Sequence, residues 1–283
     1  MQNNKFLLPE EDGLRVRESG RWAREKLNYL ERYIGIFETS MRNKWSSRNY
    51  IDLFSGPGKI RERKTGAISL GSPLIALTTK YPFTGYYFVD LNPDEIEALE
   101  KRISASQDAS RVNIQVGDAN TLIQSIVDEI PQSSLNLAFL DPEGIDLKWS
   151  TVETLASHQR IDLIIHYPQM GLSRSMPNSI DSKEQTKVDG FFGNQDWIPI
   201  FEKNRSGEEK YLHRKLMDHY KGRLCALGYK DVFRDDEVGI EPLMSTEDNA
   251  PLYRLLFASK HPLGNDFWRK ITTKNPHGQR RLL

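Results

Sequence analysis

Cysteine is nearly absent: Cys225 is the only one in 283 residues. A lone cysteine forms no internal disulfide and builds no cysteine-based zinc cluster. A reducing, cytoplasmic setting is therefore the expectation. Spaced His/Cys pairs that could hold zinc or iron are also missing, and no metal site is expected. An excess of one charge is lacking too. Lys+Arg and Asp+Glu stand at 39 each, so no global field draws in nucleic acid or an acidic membrane. No apolar run approaches the roughly 18 residues of a membrane span. The opening MQNNKFLLPEED has neither the apolar centre nor the small-residue cleavage site of a signal peptide. There is no internal repeat and no low-complexity tract. What is present is globular: 38% hydrophobic and 10% aromatic residues, enough for a sizeable core in one large or two small domains.

The chain divides into four stretches. Residues 1–45 hold a mixed polar arm, then a helix over 20–43, where Trp22, Leu27, Leu30, Ile34 and Phe37 recur at three- and four-residue steps. Residues 46–166 alternate strands with helices. Strands are expected at Tyr50–Phe54, Gly85–Asp90, Val112–Val116, Leu135–Asp141 and Ile161–His166. Between them, helices start at Ser72-Pro73, Asn92-Pro93, Thr121 and Trp149, with serine and asparagine as caps and proline in the first turn. Such alternation means crossover units, a parallel sheet and a doubly wound α/β fold. Residues 167–230 read as an irregular insertion or lid followed by a helix from Tyr211 to Leu227, closed by Gly228. Residues 231–283 supply closing strands at Asp231–Phe233 and Leu252–Ala258, a short helix over Phe267–Thr272, and a basic tail from Lys274.

In open parallel sheets, ligands bind outside the carboxyl ends of the strands. The residues that follow each strand are therefore the informative ones. They are Asp52-Leu53-Phe54-Ser55-Gly56-Pro57-Gly58, then Asp90-Leu91, Gly117-Asp118-Ala119, Asp141-Pro142-Glu143-Gly144 and His166-Tyr167-Pro168. Four successive strands end in or beside a carboxylate. Like charges on one rim repel unless hydroxyls, amines or a cation share the site, and a nucleoside cofactor meets that need. Asp90 would accept from both ribose hydroxyls and Asp118 from an adenine amino group. The Gly56–Gly58 loop would lie against the cofactor's amino-acid end. Each feature also has a plainer reading. Asp90 with Asn92, and Asp118, could cap the helices that follow them. Asp141-Pro142 could be a rigid turn, and Gly-Pro-Gly an ordinary strand-to-helix loop. Nicotinamide and phosphate-loop readings fail on spacing. Arg61 stands where the third fingerprint glycine belongs, Asp90 lies beyond the expected offset, and Ile60 follows Gly58-Lys59.

Strand, glycine loop, acidic second-strand end, Gly-Asp after the third strand and Asp-Pro after the fourth resemble class I S-adenosylmethionine-dependent methyltransferases over roughly residues 45–170. More narrowly, Tyr50–Gly58, Gly71-Ser72-Pro73, Phe88-Val89-Asp90 and Phe139–Gly144 are similar to the three-Cys-motif partner (TcmP) family. The resemblance implies a Rossmann-like, mostly parallel seven-stranded sheet. It also implies S-adenosylmethionine held by Asp52, Phe54, Gly56, Pro57, Gly58, Asp90, Leu91, Asp118, Ala119 and Asp141. Chemistry is expected at Asp141, Pro142 and Glu143. In amino-methylating relatives this Asp-Pro site holds the target nitrogen and is followed by a stacking aromatic. Here Glu143 replaces that aromatic, as an acceptor, a general base or a solvated side chain. Tyr167 could supply a stacking face, and His166 is a structural histidine or a base. The family is named for association with a separate radical-type protein bearing three cysteines. A non-catalytic partner role is thus the alternative to a methyltransferase acting on nucleic acid or a nucleic-acid-associated target. Arg61, Arg63 and Lys64, with the C-terminal tail, could hold a phosphate backbone, or be a solvated loop and a frayed end.

Overall fold

The computed structural model describes residues 5–230 and 240–273. The strand expected at 231–233 and the basic tail from Lys274 lie outside them. After a 3-10 turn (Lys5–Leu7), the chain forms β1 (Arg17–Ser19) and α1 (Arg21–Met41). It continues through β2 (Arg48–Asp52), β3 (Lys59–Glu62), β4 (Ile68–Leu70), α2 (Ser72–Leu77), β5 (Gly85–Asp90) and α3 (Pro93–Ile103). Next come β6 (Val112–Val116), α4 (Ala119–Glu129), β7 (Leu135–Leu140), α5 (Trp149–Ala156) and β8 (Ile161–Tyr167). Four helices follow: α6 (Gln169–Ser179), α7 (Lys187–Phe192), α8 (Trp197–Arg205) and α9 (Leu212–Ala226). The described chain closes with β9 (Leu243–Ser245), β10 (Pro251–Ala258) and α10 (Pro262–Thr272).

The main sheet has seven strands in the order β6-β5-β2-β7-β8-β10-β9. The first five run parallel, while β10 is antiparallel to both β8 and β9. This is the mostly parallel α/β sheet expected. The seventh strand, however, is β9. Strand side chains alternate faces, so one apolar run feeds two cores. Leu137 and Phe139 of β7 join α1, α2, α3 and α10 on one side. Ala138 and Leu140 join α4, α5 and the helices after β8 on the other. Burial of each Leu, Ile or Phe contributes about 1.5–3 kcal/mol, so both layers are held chiefly by this packing.

Four expectations are corrected. Within the stretch expected to be an arm, residues 5–20 pack against the fold. Asp12 has a fully buried carboxylate, bonded to Lys59 at 2.8 Å and to Arg102 at 2.8 Å, and all three side chains are excluded from solvent. Lys59 also donates to the carbonyls of Lys5 and Glu10. This segment then adds β1, parallel to β3, to a small sheet β1-β3-β4. The stretch after Gly58 is likewise no simple loop but the hairpin β3–β4. Residues 167–210 carry three helices, α6 to α8, and Leu172, Met176, Phe191, Phe192 and Trp197 are buried in the core. The cap of α2 is Gly71 rather than Ser72. The start at Asn92 is as read: its side chain accepts from Asp94 N at 3.0 Å, with Pro93 in the first turn.

Candidate functional site

The carboxyl ends of the parallel strands open onto one crevice made of two abutting cavities, about 410 and 540 Å³. Arg17, Phe54, Pro142 and Glu143 line both. Gly56, Pro57, Gly58 and Asp141 line the first, and Asp90, Leu91, Asp118 and Ala119 the second.

The glycine loop is built from backbone contacts. Leaving β2, Ser55 N donates to Val89 O at 2.9 Å and Gly56 N to Asp90 Oδ2 at 2.8 Å. Gly56 and Gly58 have φ of 61° and 88°, the left-handed region that side chains disfavour. Gly71 N then donates to Gly58 O at 2.7 Å, and a Cβ on Gly71 would stand 3.0 Å from that carbonyl. Gly56-Pro57-Gly58 and Gly71-Ser72-Pro73 are therefore one unit, with β3 and β4 between them.

Asp90 keeps three contacts: Asn92 N to Oδ1 at 3.0 Å, and Gly56 N and Arg17 Nη2 to Oδ2 at 2.8 and 3.1 Å. It does not cap α3, because Asn92 does. Beside it Leu91 is 70% exposed, an unusual position for leucine. Asp118 does cap α4: Oδ1 accepts from Asn120 N and Nδ2, each at 2.9 Å. Its Oδ2 has no protein partner among the described residues, so capping and ligand contact are compatible. Asp52 departs from its expected place on the crevice wall. It is fully buried beneath the loop and lines neither cavity. Burial pushes its carboxyl up to about 7, against hydrogen bonds from Ser72, Phe54 and Tyr50 and with Asp141 adding to the rise.

Asp141 is held on both oxygens. The Lys26 ammonium meets Oδ2, and His166 Nδ1 lies 2.9 Å from Oδ1. Burial pushes this carboxyl up, but Lys26 and His166 outweigh that and hold it well below the usual range. Each oxygen that would receive a target amine thus already has one partner. Tyr253 stacks on the His166 ring, centroids 4.2 Å apart. It occupies the aromatic place foreseen for Tyr167, which is buried with its hydroxyl 3.3 Å from His213 Nδ1. Glu143 is 74% exposed and lies 3.2 Å from Arg17 Nε. Arg17 also pairs with Asp90 and Glu95, so its side chain stands between the two cavities. Burial works against the Arg17 charge, but these carboxylates raise its pKa above the ordinary value.

Of the loop cations, Arg61 pairs with Glu11 and Glu18, and Lys64 with Glu247 at 2.7 Å. Arg63 faces the first cavity, together with Arg174 and Trp22. Sequence reasoning missed Arg17, Lys26 and Tyr253. Lys26 follows the helical periodicity as a solvated position, and nothing local marks Arg17.

No family model matches the chain, and no curated protein matches it. Among solved structures it is similar to an O-methyltransferase of tomaymycin synthesis from Streptomyces achromogenes, solved with S-adenosylmethionine. That likeness has 11% identity and a TM-score of 0.43, and covers 91% of this chain and 94% of that one. A Legionella pneumophila protein of the domain family DUF519 gives 12% identity and a TM-score of 0.44, covering 62% and 75%. A conserved Streptococcus pyogenes protein gives 17% identity and a TM-score of 0.33, covering 47% and 74%. At these overlaps the reading of the crevice rests on its own residues.

Proposed function

We propose that the chain is an S-adenosylmethionine-dependent methyltransferase whose acceptor is a nucleic acid or a nucleic-acid-associated target. The observation that carries this is the second cavity. There Asp90 closes a strand tip, the exposed Leu91 offers an apolar face for a purine, and Asp118 holds an uncommitted oxygen across the same space. These residues fit an adenosyl group. Three of about four acceptor sites on Asp90 are taken, so a ribose diol would use the remaining one and compete with Arg17. Phe54 and the bare backbone of Gly56–Gly58 extend from there toward the first cavity. Once bound, the cofactor supplies an electrophilic methyl on a sulfonium. The protein's task is then alignment of a nucleophile and control of charge. Arg63, Arg174 and Trp22 at the first cavity suit an acceptor with phosphates and aromatic rings. Association with a separate three-cysteine protein, which the family resemblance implies, is proposed alongside and is tested by co-purification.

The test is calorimetry with S-adenosylhomocysteine. Asp90→Ala removes two backbone anchors of the crevice and the diol acceptor. It should lower affinity about 10- to 150-fold, at 1.5–3 kcal/mol for the one charge-assisted hydrogen bond, while circular dichroism stays unchanged. An unaltered affinity refutes the reading.

A further inference from the structure

The side chains Lys26, Asp141, His166 and Tyr253 form a cluster on the wall of the first cavity, apart from the adenosyl-side residues. They come from four separated places: α1, the end of β7, β8 and β10. His166 Nδ1 is committed to Asp141 Oδ1 at 2.9 Å. An ionised carboxylate only accepts, so Nδ1 carries the proton and Nε2 carries the lone pair. Nε2 has no protein partner among the described residues, and the ring lines the cavity. Tyr253, stacked at 4.2 Å, fixes the ring plane.

We propose that His166, aligned by Asp141, is the general base that takes the proton from an acceptor hydroxyl. This rests on the methyltransferase reading and adds the class of acceptor atom. An amine needs no base before it attacks, and Lys26 and His166 already take one acceptor site on each Asp141 oxygen, leaving about two of four for N–H groups. A neutral hydroxyl is a poor nucleophile and does need a base. In the step, the acceptor O–H bond breaks and its proton passes to His166 Nε2. The O–CH₃ bond forms as the S–CH₃ bond breaks, and the bond's electron pair stays on sulfur. The positive charge thus moves from the sulfonium to an imidazolium beside the Asp141 carboxylate, and solvent later takes the proton. Two charged groups face the ring: Asp141, which favours its protonated form, and Lys26, which opposes it. Burial dominates and holds His166 below the ordinary histidine range, so the free base is present at neutral pH. For a nucleic-acid acceptor, the hydroxyl is the ribose 2′-OH of RNA.

Two measurements decide this. Imidazole ¹⁵N shifts of the unmodified protein, without cofactor, should show His166 neutral at pH 7 with its proton on Nδ1. The resonance is assigned by its loss in His166→Asn. A proton on Nε2, or an imidazolium at pH 7, overturns the proposal. The second is methyl transfer from labelled S-adenosylmethionine to total cellular RNA, followed by alkaline digestion. Label should reside in alkali-resistant dinucleotides. His166→Gln should cut transfer by about 100-fold or more, with S-adenosylhomocysteine affinity within about twofold of the parent. Label on a base nitrogen, a variant retaining a tenth of the rate, or no RNA label despite S-adenosylhomocysteine binding overturns it. If the parent binds no S-adenosylhomocysteine, the methyltransferase reading itself has failed, and the tautomer result still stands separately.

Discussion

Single carboxylates here do opposite work according to their surroundings. Asp12 is buried but faces two cations, and Arg102 and Lys59 outweigh burial to hold it far below the usual carboxylate range. Its contribution is present above pH about 4, where the unfolded group is already ionised, and is lost on acidification below that. Asp12→Ala leaves the Lys59 and Arg102 charges buried without their carboxylate. It should destabilise the fold by about 3–5 kcal/mol, read from urea unfolding midpoints. Asp52 has no cation partner and behaves the other way. With a folded pKa of about 7 against about 4 unfolded, the folded state keeps a proton across that window. Stability from this group is therefore full below pH about 4 and is lost as the pH rises to about 7. The loss is at most about 4 kcal/mol, at 1.4 per pH unit. Asp52→Asn should gain stability relative to the parent over the same range, and a flat difference between the two curves contradicts this.

At the scale of elements, what was legible was what local chemistry dictates. The apolar strand runs, the Asn92-Pro93 helix start and the stripe of α1 needed only their neighbours in sequence. The β3–β4 hairpin was illegible because Lys59-Ile-Arg-Glu carries too few apolar residues to announce a strand. Lys59 is buried only through a carboxylate 47 positions earlier in the chain, an arrangement no periodicity displays. The helices α6–α8 were hidden by Pro177 inside α6 and by short, aromatic-rich segments. The hairpin also explains a glycine. Gly71 has an ordinary φ of −81°, so its need is space rather than conformation. Gly71→Ala should push Gly58 away, costing about 1–3 kcal/mol as overpacking does. It should also weaken S-adenosylhomocysteine binding, and calorimetry with a thermal melt checks both effects.

For the molecule as a whole, one sheet shares two cores, and the helices after β8 belong to the larger core rather than to a detachable cover. Trp197 makes the case. It is fully buried, and its indole N–H donates to Asp189 Oδ1 at 2.9 Å. Trp197→Ala should cost about 3–5 kcal/mol and should lower hydrogen-exchange protection in β7 and β8 together with α8. Loss confined to the helices contradicts a shared core. The crevice was half legible for the same global reason. Strand tips converge by topology, so Asp90, Asp118 and Asp141 could be placed from sequence. Arg17, Lys26 and Tyr253 reach the crevice through a small added sheet, a helix face and an antiparallel strand, which only the assembled fold brings together.

The Asp12–Lys59–Arg102 cluster sets a timetable for synthesis. On a ribosome, Asp12 emerges 90 residues before Arg102, a delay of about 5–18 s at 5–20 residues per second. Until then the segment bearing Arg17 has only Lys59 and β3 to dock against, so the nascent chain can form its early strands long before it can close the crevice wall. Readiness to take a ligand is thereby deferred to a late stage of chain growth.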